Sequence, residues 1–105
     1  MTMQDLRQLF NAEIPETYDV APPQGAARYL VLNPLPPAEL HADNTVLFSS
    51  PRCRADLGWT SPSDAILETA AQVLRQHDIA YSMELSDYDF DNAMFGASLT
   101  ISLLG

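Results

Sequence analysis

The stretch "SPSDAILETAAQVLRQHD", residues 61–78, is the clearest structural signal in the chain and decides the prediction of the fold. Its apolar residues recur at the three- and four-residue spacing of a helix face. This apolar stripe consists of Ile66, Ala70, Val73 and Leu74, with Leu67 at its edge. We expect Ser61 to cap the helix, Pro62 to occupy its first turn and Asp64 to add charge near its positive end. Arg75 and His77 fall in the last turn, where positive charge is favoured.

Alternating sequence after this helix predicts two strands. In "IAYSMEL", residues 79–85, every second residue is large and apolar, so Ile79, Tyr81, Met83 and Leu85 are expected on one face. "FGASLTISLLG", residues 95–105, repeats the alternation with small hydroxyl residues on the polar side. Two such runs around a short connection predict a long antiparallel hairpin.

The region before the helix predicts further strands. "ARYLVLN", residues 27–33, is rich in β-forming residues and apolar enough to be buried on both faces. The proline-rich residues 34–44 follow, and we expect them to form a connection outside the sheet, because proline cannot donate to a ladder.

A second extended region covers residues 44–50 and 52–59, with Pro51 expected at a turn or bulge between the two parts. Its later part alternates between an apolar and a charged face. The apolar face holds Cys53, Ala55, Leu57 and Trp59, and the charged face holds Arg52, Arg54 and Asp56.

At the N-terminus, residues 2–11 have the pattern of a short amphipathic helix that Thr2 can cap. Prolines then allow at most a brief extended piece around Thr17–Val20. The order of elements predicts an α+β fold, in which an antiparallel sheet of about four to five strands packs against two helices. Residues 1–105 are expected to form one domain.

The charge balance argues against direct nucleic-acid binding. The net charge is −9, with five Arg, no Lys and fourteen acidic residues, whereas phosphate contacts need basic side chains. The acidity either keeps the protein soluble or forms a surface along which DNA passes without sticking. No run approaches the roughly 18 apolar residues of a spanning helix, so no membrane role is expected. One Cys, without a signal-peptide pattern, fits a protein made in a reducing cytoplasm.

The stretch "SDYDFDNAMFG", residues 86–96, holds an acidic cluster between the two predicted C-terminal strands. Its alternating carboxylates are Asp87, Asp89 and Asp91. They match the first ligand positions of a calcium-binding EF-hand loop, but Asn92 stands where Gly is required and Ser98 where Glu is required. The sequence therefore favours a hydrated hairpin tip, with no metal and no cofactor.

Tyr88 and Phe90, which lie between these carboxylates, leave two interpretations open. They are either stray aromatic residues facing water or anchors of a protein–protein interface, where aromatic residues are enriched. Elsewhere no catalytic set is evident. His41 and His77 are expected at the surface, and Cys53 and Trp59 are expected in the core. Neither a nucleophile elbow nor a phosphate-binding glycine loop is present in the sequence.

The stretch "ADNTVLFSSPRCRADLGW", residues 42–59, resembles the central strands of small tail-completion and tail-terminator proteins of long-tailed bacteriophages. In that family an Ala-Asp-Asn-like turn opens a strand hairpin, and an amphipathic helix like "PSDAILETAAQVLRQHDI" and a closing hairpin follow. A short N-terminal helix with an extended segment, as in "LRQLFNAEIPETYDVAPPQ", also fits. The resemblance in the order of helices and strands covers nearly the whole chain.

This resemblance implies a structural protein of the virion with no catalytic residues. It implies a homo-oligomeric ring, usually hexameric, that caps the tail tube and contacts the tail tube protein and the head–tail connector, while DNA passes through its lumen. One contact patch is expected at the hairpin tip and another in the 34–44 connection. The expected interface residues are Tyr88, Phe90, Asp87, Asp89 and Asp91 in the first patch, and Asp43 and Asn44 in the second.

A second function remains open from the sequence. An acidic regulatory protein that mimics DNA and inhibits a nucleic-acid enzyme would also have a strongly negative charge. The acidic residues are not dense along one predicted face, which weakens this interpretation. An enzyme has the least support because no catalytic site assembles in the sequence.

Overall fold

The computed structural model describes residues 1–42 and 45–103, and the side chains within 1–36 and 51–103. In chain order the elements are α1 (Met3–Glu13), β1 (Thr17–Tyr18), β2 (Arg28–Ala42), β3 (Thr45–Trp59), α2 (Ile66–Gln76), β4 (Tyr81–Leu85) and β5 (Phe95–Ser102). The strands form one five-stranded sheet in the order β1-β2-β3-β5-β4. Every neighbouring pair is antiparallel except β1 with β2. The predicted α+β class, with two helices on an antiparallel sheet, is confirmed.

Both helices pack on the same face of the sheet and enclose one core. Side chains of α1, α2, β2, β3 and β5 meet there, and many of them are completely excluded from water. Burying a large aliphatic or aromatic side chain contributes about 1.5–3 kcal/mol. The largest fully buried side chains are Phe10, Leu6, Ile14, Leu30, Leu32, Ile66, Leu74, Leu99, Ile101 and Cys53.

The two helices begin in different ways. Thr2 caps α1 as predicted, because its hydroxyl accepts from the Asp5 amide at 3.1 Å while the Asp5 carboxylate accepts from the Thr2 amide. The cap predicted at Ser61 is wrong. The Ser61 hydroxyl is engaged with Ser63 in a separate turn that also contains Pro62, and α2 starts at Ile66. Asp64 takes part in the start of α2, since its carboxylate accepts from the Ile66 amide at 3.0 Å.

Residues 34–42 were predicted to be a connection, and this is wrong because β2 continues through them to Ala42. The Thr60 amide donates to the Ala27 carbonyl, and this hydrogen bond fixes which residues of β2 direct their backbone groups toward β3. Those residues alternate along β2, and Pro34 is one that faces away from β3, so the ladder loses no donor there. The register shifts between Leu35 and Ala38, and this irregularity accommodates the next two prolines.

Pro51 lies opposite this irregularity, which agrees with the bulge predicted for it. Beyond Pro51 the β2–β3 hairpin extends past the rest of the sheet, because the pairing of β3 with β5 ends at Arg52 opposite Ser102. Residues 38–42 and 45–50 therefore pair only with each other within the described part of the chain. We call this two-stranded segment the hairpin arm. The longest dimension of the molecule is 49 Å.

The C-terminal hairpin, β4 and β5 around residues 86–94, is confirmed. The predicted core positions of β3 are also confirmed: Cys53 is fully buried, and Trp59 packs against the core cluster. Burial raises the pKa of the Cys53 thiol to about 11, so the sulfur is protonated and unreactive at neutral pH. None of the described helices is both long enough and apolar enough to cross a membrane.

Candidate interaction site at the 86–94 loop

The 86–94 loop joins β4 to β5 and is closed by its own hydrogen bonds. Asp89 and Met94 exchange two backbone hydrogen bonds of 2.9 and 3.1 Å, which make an isolated bridge across the loop. One Asp89 carboxylate oxygen accepts from the amides of Asp91 and Asn92, and the other accepts from the Asn92 side chain at 2.8 Å. Ala93 then turns the chain back with a φ of 54°.

Through these contacts Asp89 stabilises the conformation of the loop. The hydrogen bond from the Asn92 side chain, together with those from the Asn92 and Asp91 amides, lowers the pKa of Asp89 below its ordinary value. Both of its oxygens are occupied within the loop. Within the described ranges, no group of three or more His, Cys, Asp or Glu side chains is placed to hold a metal ion.

Four aromatic rings form a row from the loop to the end of the sheet. Phe90 meets Tyr88 edge to face with ring centres 4.9 Å apart, and Tyr88 meets Phe95 in the same way at 4.8 Å. Phe95 stacks on Trp59, its cross-strand partner, at 6.0 Å. Such geometries add about 0.5–1.5 kcal/mol per pair beyond the burial of area. The row fixes the loop to the sheet.

The two aromatic residues predicted as anchors differ in their surroundings. Tyr88 is half-buried because it packs between Phe90 and Phe95. Phe90 is 87% exposed, the highest exposure among the described large hydrophobic residues. Phe90 therefore presents an apolar ring to the outside, and Tyr88 supports it from behind.

A cleft of about 460 Å³ lies between the loop and the open face of the sheet, the face without helices. Tyr29, Asp56, Asp87 and Asp89 are among its lining residues, which include no His, Cys, Lys or Arg. The Asp56 carboxylate is held by the Asn33 amide at 2.9 Å and by Arg54. The lining of this cleft holds no acid paired with a base, the arrangement that general acid–base catalysis uses.

The apolar side of strand β4 is on the predicted face but is more exposed than that of the central strands. Met83 and Leu85 lie opposite the buried Leu99 and Ala97 of β5, which confirms their face of the sheet. They are nevertheless 45% and 67% exposed. Sequence alternation identified the face correctly, but it could not show that β4 is the edge strand.

The other residues singled out from the sequence are His77, His41, Asp43 and Asn44. His77 is exposed just after α2. His41 belongs to β2, with its side chain outside the described set. Asp43 and Asn44, assigned to a second contact patch, lie outside the described residues. Sequence reasoning missed Phe95 and Trp59 as members of the aromatic row, because only the strand register brings them together.

Comparison with known proteins gives no assignment of family. No protein-family model matches this chain, and no curated protein matches it.

Proposed function

We propose that the chain is a structural virion protein of the neck or tail of a long-tailed bacteriophage. In this proposal it forms a homo-oligomeric ring, hexameric as the family resemblance implies, that terminates the tail tube and joins it to the head connector. The observation that carries the proposal is the outward Phe90 ring on a loop that is itself rigidly held. Such a group gains free energy only when another surface covers it.

The loop has the physical features of a preorganised contact. Its backbone is fixed by Asp89, and its aromatic row limits the motion of Tyr88 and Phe90. A rigid aromatic anchor loses little side-chain entropy when it binds, which improves affinity. A ring contact of this kind buries on the order of 800 Å² per partner.

The charge of the chain fits passage of DNA through such a ring. A net charge of −9 without any Lys disfavours phosphate binding and favours sliding of a polyanion. Two of the five Arg residues, Arg52 and Arg54, belong to β3. Arg54 is paired with Asp56 at 3.1 Å, and the Arg52 guanidinium donates to the Pro36 carbonyl at 2.7 Å. The proposed partners are copies of this chain, the tail tube protein and the head–tail connector.

Negative-stain imaging of the purified chain, with and without tail tube protein, tests the proposal. We expect closed rings of uniform size for the natural chain. The double variant Tyr88→Ala with Phe90→Ala should keep the far-ultraviolet spectrum of the fold but form few rings, because the exposed anchor and its support are lost. Rings that form equally well in the double variant would refute the anchor role.

Val20→Ala provides a matched control for this experiment. Val20 is 84% exposed, nearly as much as Phe90, but it follows β1 rather than β4. Loss of a few exposed apolar atoms at Val20 should leave ring formation unchanged. A control variant that lost rings to the same degree would assign the effect to general surface hydrophobicity.

The acidic residues of the loop favour one alternative, a regulatory protein that resembles DNA and blocks a basic partner. Asp87, Asp89 and Asp91 are all exposed, and Asp56 adds charge in the adjoining cleft. A strictly monomeric chain that binds a basic nucleic-acid enzyme and loses that binding in Asp87→Asn with Asp91→Asn would support this alternative. Rings of the free chain would contradict it.

A further inference from the structure

The hydrogen bonds between β4 and β5 identify which backbone groups of β4 have no partner among the described residues. The Ser86 amide donates to the Gly96 carbonyl at 3.0 Å, and the Ser102 amide donates to the Ala80 carbonyl at 2.9 Å. In an antiparallel ladder, hydrogen-bonded residues alternate with residues that point away. The N–H and C=O groups of Tyr81, Met83 and Leu85 therefore face the free edge of the sheet.

This edge lacks the usual protection against pairing. Natural edge strands are blocked by Pro, Lys, inward charges or bulges. Strand β4 has none of these along its regular pairing with β5, and Glu84 is its one charged residue. Five regular residues with exposed Met83 and Leu85 present a template for another strand.

A groove beside this edge would receive side chains of an added strand. It lies between α2 and β4 and has a volume of about 490 Å³. Half of its lining residues are apolar and half are polar or charged: Leu67, Ala71 and Met83, and Glu68, Gln72 and Arg75. An added strand would continue the sheet under α2 and place every second side chain over this groove. The apolar part of this lining gives an apolar side chain of an added strand a surface to pack on.

Within the described residues, a further unprotected edge belongs to the β3 side of the hairpin arm. On the outer side of β2, β1 pairs with Leu30 and Val31, and Pro34, Pro36 and Pro37 interrupt the edge further along. On the other side of the hairpin arm, β5 ends at Ser102, and the next amide, that of Leu103, donates to the Pro51 carbonyl at 2.8 Å. Residues 45–50 of β3 have no further strand partner there among the described residues.

Length and composition make these two edges complementary. The run "TVLFSS", residues 45–50, is about as long as β4 and contains three consecutive apolar β-formers. The apolar composition of this run matches the apolar part of the groove lining. The run's lack of charged residues also avoids repulsion by Glu84.

We propose that the 45–50 edge of the hairpin arm from one copy adds as a strand to β4 of the next copy. The result is a sheet that continues between subunits. The inference rests on the proposed function, in that it supplies the contact between ring subunits. Two different patches meet in it, so the contact is heterologous and generates a closed ring or an open filament rather than a two-fold dimer.

Residue-resolved hydrogen exchange at low and high protein concentration tests the proposal. In the dilute chain the Met83 and Leu85 amides should exchange rapidly, and the Ser82 and Glu84 amides should be protected by β5. On association, exchange of the Met83 and Leu85 amides, and of those amides of residues 45–50 that point away from β2, should slow by about tenfold or more. Packing by side chains alone would not protect alternate residues in this way.

The variant Met83→Pro tests the backbone contact directly. It removes an amide that faces the free edge, so the β4–β5 ladder keeps all its donors. We expect association to weaken about tenfold or more, because a partner carbonyl would be left without a donor. Met83→Thr is the matched control, since it keeps the amide and β propensity while it shortens the apolar side chain. It should weaken association less than Met83→Pro.

The outcomes separate this inference from the proposed function. Assembly into rings with rapidly exchanging Met83 and Leu85 amides would overturn strand addition and leave the proposed function standing. Protection of β4 alone, in a species that stops at two copies, would indicate β4–β4 pairing and overturn the arm as the occupant. A chain that stays monomeric at every concentration would contradict both proposals.

Discussion

The centre of the sheet and its β4 side use the same kinds of residue in different ways. In the centre, alternating residues of β3 and β5 place Cys53, Leu57 and Leu99 in a sealed core beneath two helices. At the β4 side, the same alternation continues into Met83 and Leu85, which remain open to water, and beyond them lies the exposed Phe90. The alternation of apolar residues therefore continues from the central strands into β4, but the helices do not shield Met83 and Leu85 from water.

This difference separates residues that stabilise the fold from residues available for contact. Apolar residues of the central strands are buried against the helices and so stabilise the fold. Phe90 and Leu85 are not buried by any described element of the chain. An exposed apolar group that the fold does not need is a candidate for binding, and the row of rings and the free edge place several such groups together.

The largest effect should come from the centre of the sheet. Leu99→Ala removes a fully buried side chain, and we expect the free energy of unfolding to fall by about 3 kcal/mol because a cavity remains. Thr100→Ala, the next residue on the open face, should change it by no more than about 0.5 kcal/mol. Urea denaturation measures both. Equal effects of the two substitutions would contradict the assignment of the two faces.

A smaller effect is expected where the open face approaches the loop. Gly58 lies under the Tyr29 ring, and a Cβ at position 58 would be 2.7 Å from the Tyr29 hydroxyl oxygen. Gly58→Ala should therefore displace the tip of the half-buried Tyr29 ring and lower the free energy of unfolding by about 1 kcal/mol. Gly96, its partner on β5, is the control, because a Cβ there would meet its nearest neighbours at 3.4 Å or more.

Thermal unfolding of both glycine variants measures this contrast. If Gly96→Ala is the more harmful substitution, the described packing of Tyr29 is wrong. Adding Tyr29→Ala to Gly58→Ala should recover part of the loss caused by the clash. This recovery would show that the ring, rather than the backbone of β3, limits the residue at position 58.

The smallest effect concerns how the ionisation of Asp89 in the 86–94 loop makes the free energy of unfolding depend on pH. Hydrogen bonds from Asn92 and Asp91 lower the pKa of Asp89 below its ordinary value of 3.8. The stabilisation by the ionised carboxylate is therefore complete above pH 3.8 and is lost as the pH falls through the lower folded-state pKa. The stability difference between the natural chain and Asp89→Asn should shrink over that acidic range. A difference that grows on acidification would contradict this role of Asp89.

The sequence was sufficient for the elements whose signals are local. Helical spacing predicted both helices, and residue type predicted the Thr2 cap of α1, although the predicted start of α2 was too early. Alternation gave the C-terminal hairpin and the buried face of β3. These predictions succeed because hydrophobic periodicity and short-range hydrogen bonds depend on neighbouring residues.

The sequence was not sufficient for features that depend on which strands pair and in which register. Prolines 34, 36 and 37 indicated a connection, yet β2 continues because Pro34 faces away from its partner strand and the next two lie at a register shift. Exposure of Met83 follows from the position of β4 at the end of the strand order. The aromatic row depends on Trp59 lying opposite Phe95. Each of these facts is a long-range consequence of register.

Sedimentation velocity of the natural chain across the widest soluble concentration range tests the central claim most directly. If this protein works by fitting against copies of itself, the chain should pass from a monomer to a single closed species larger than a dimer. The Phe90→Ala and Met83→Pro variants should shift that transition to higher concentration. A chain that remains one monomeric species throughout the range would contradict the account.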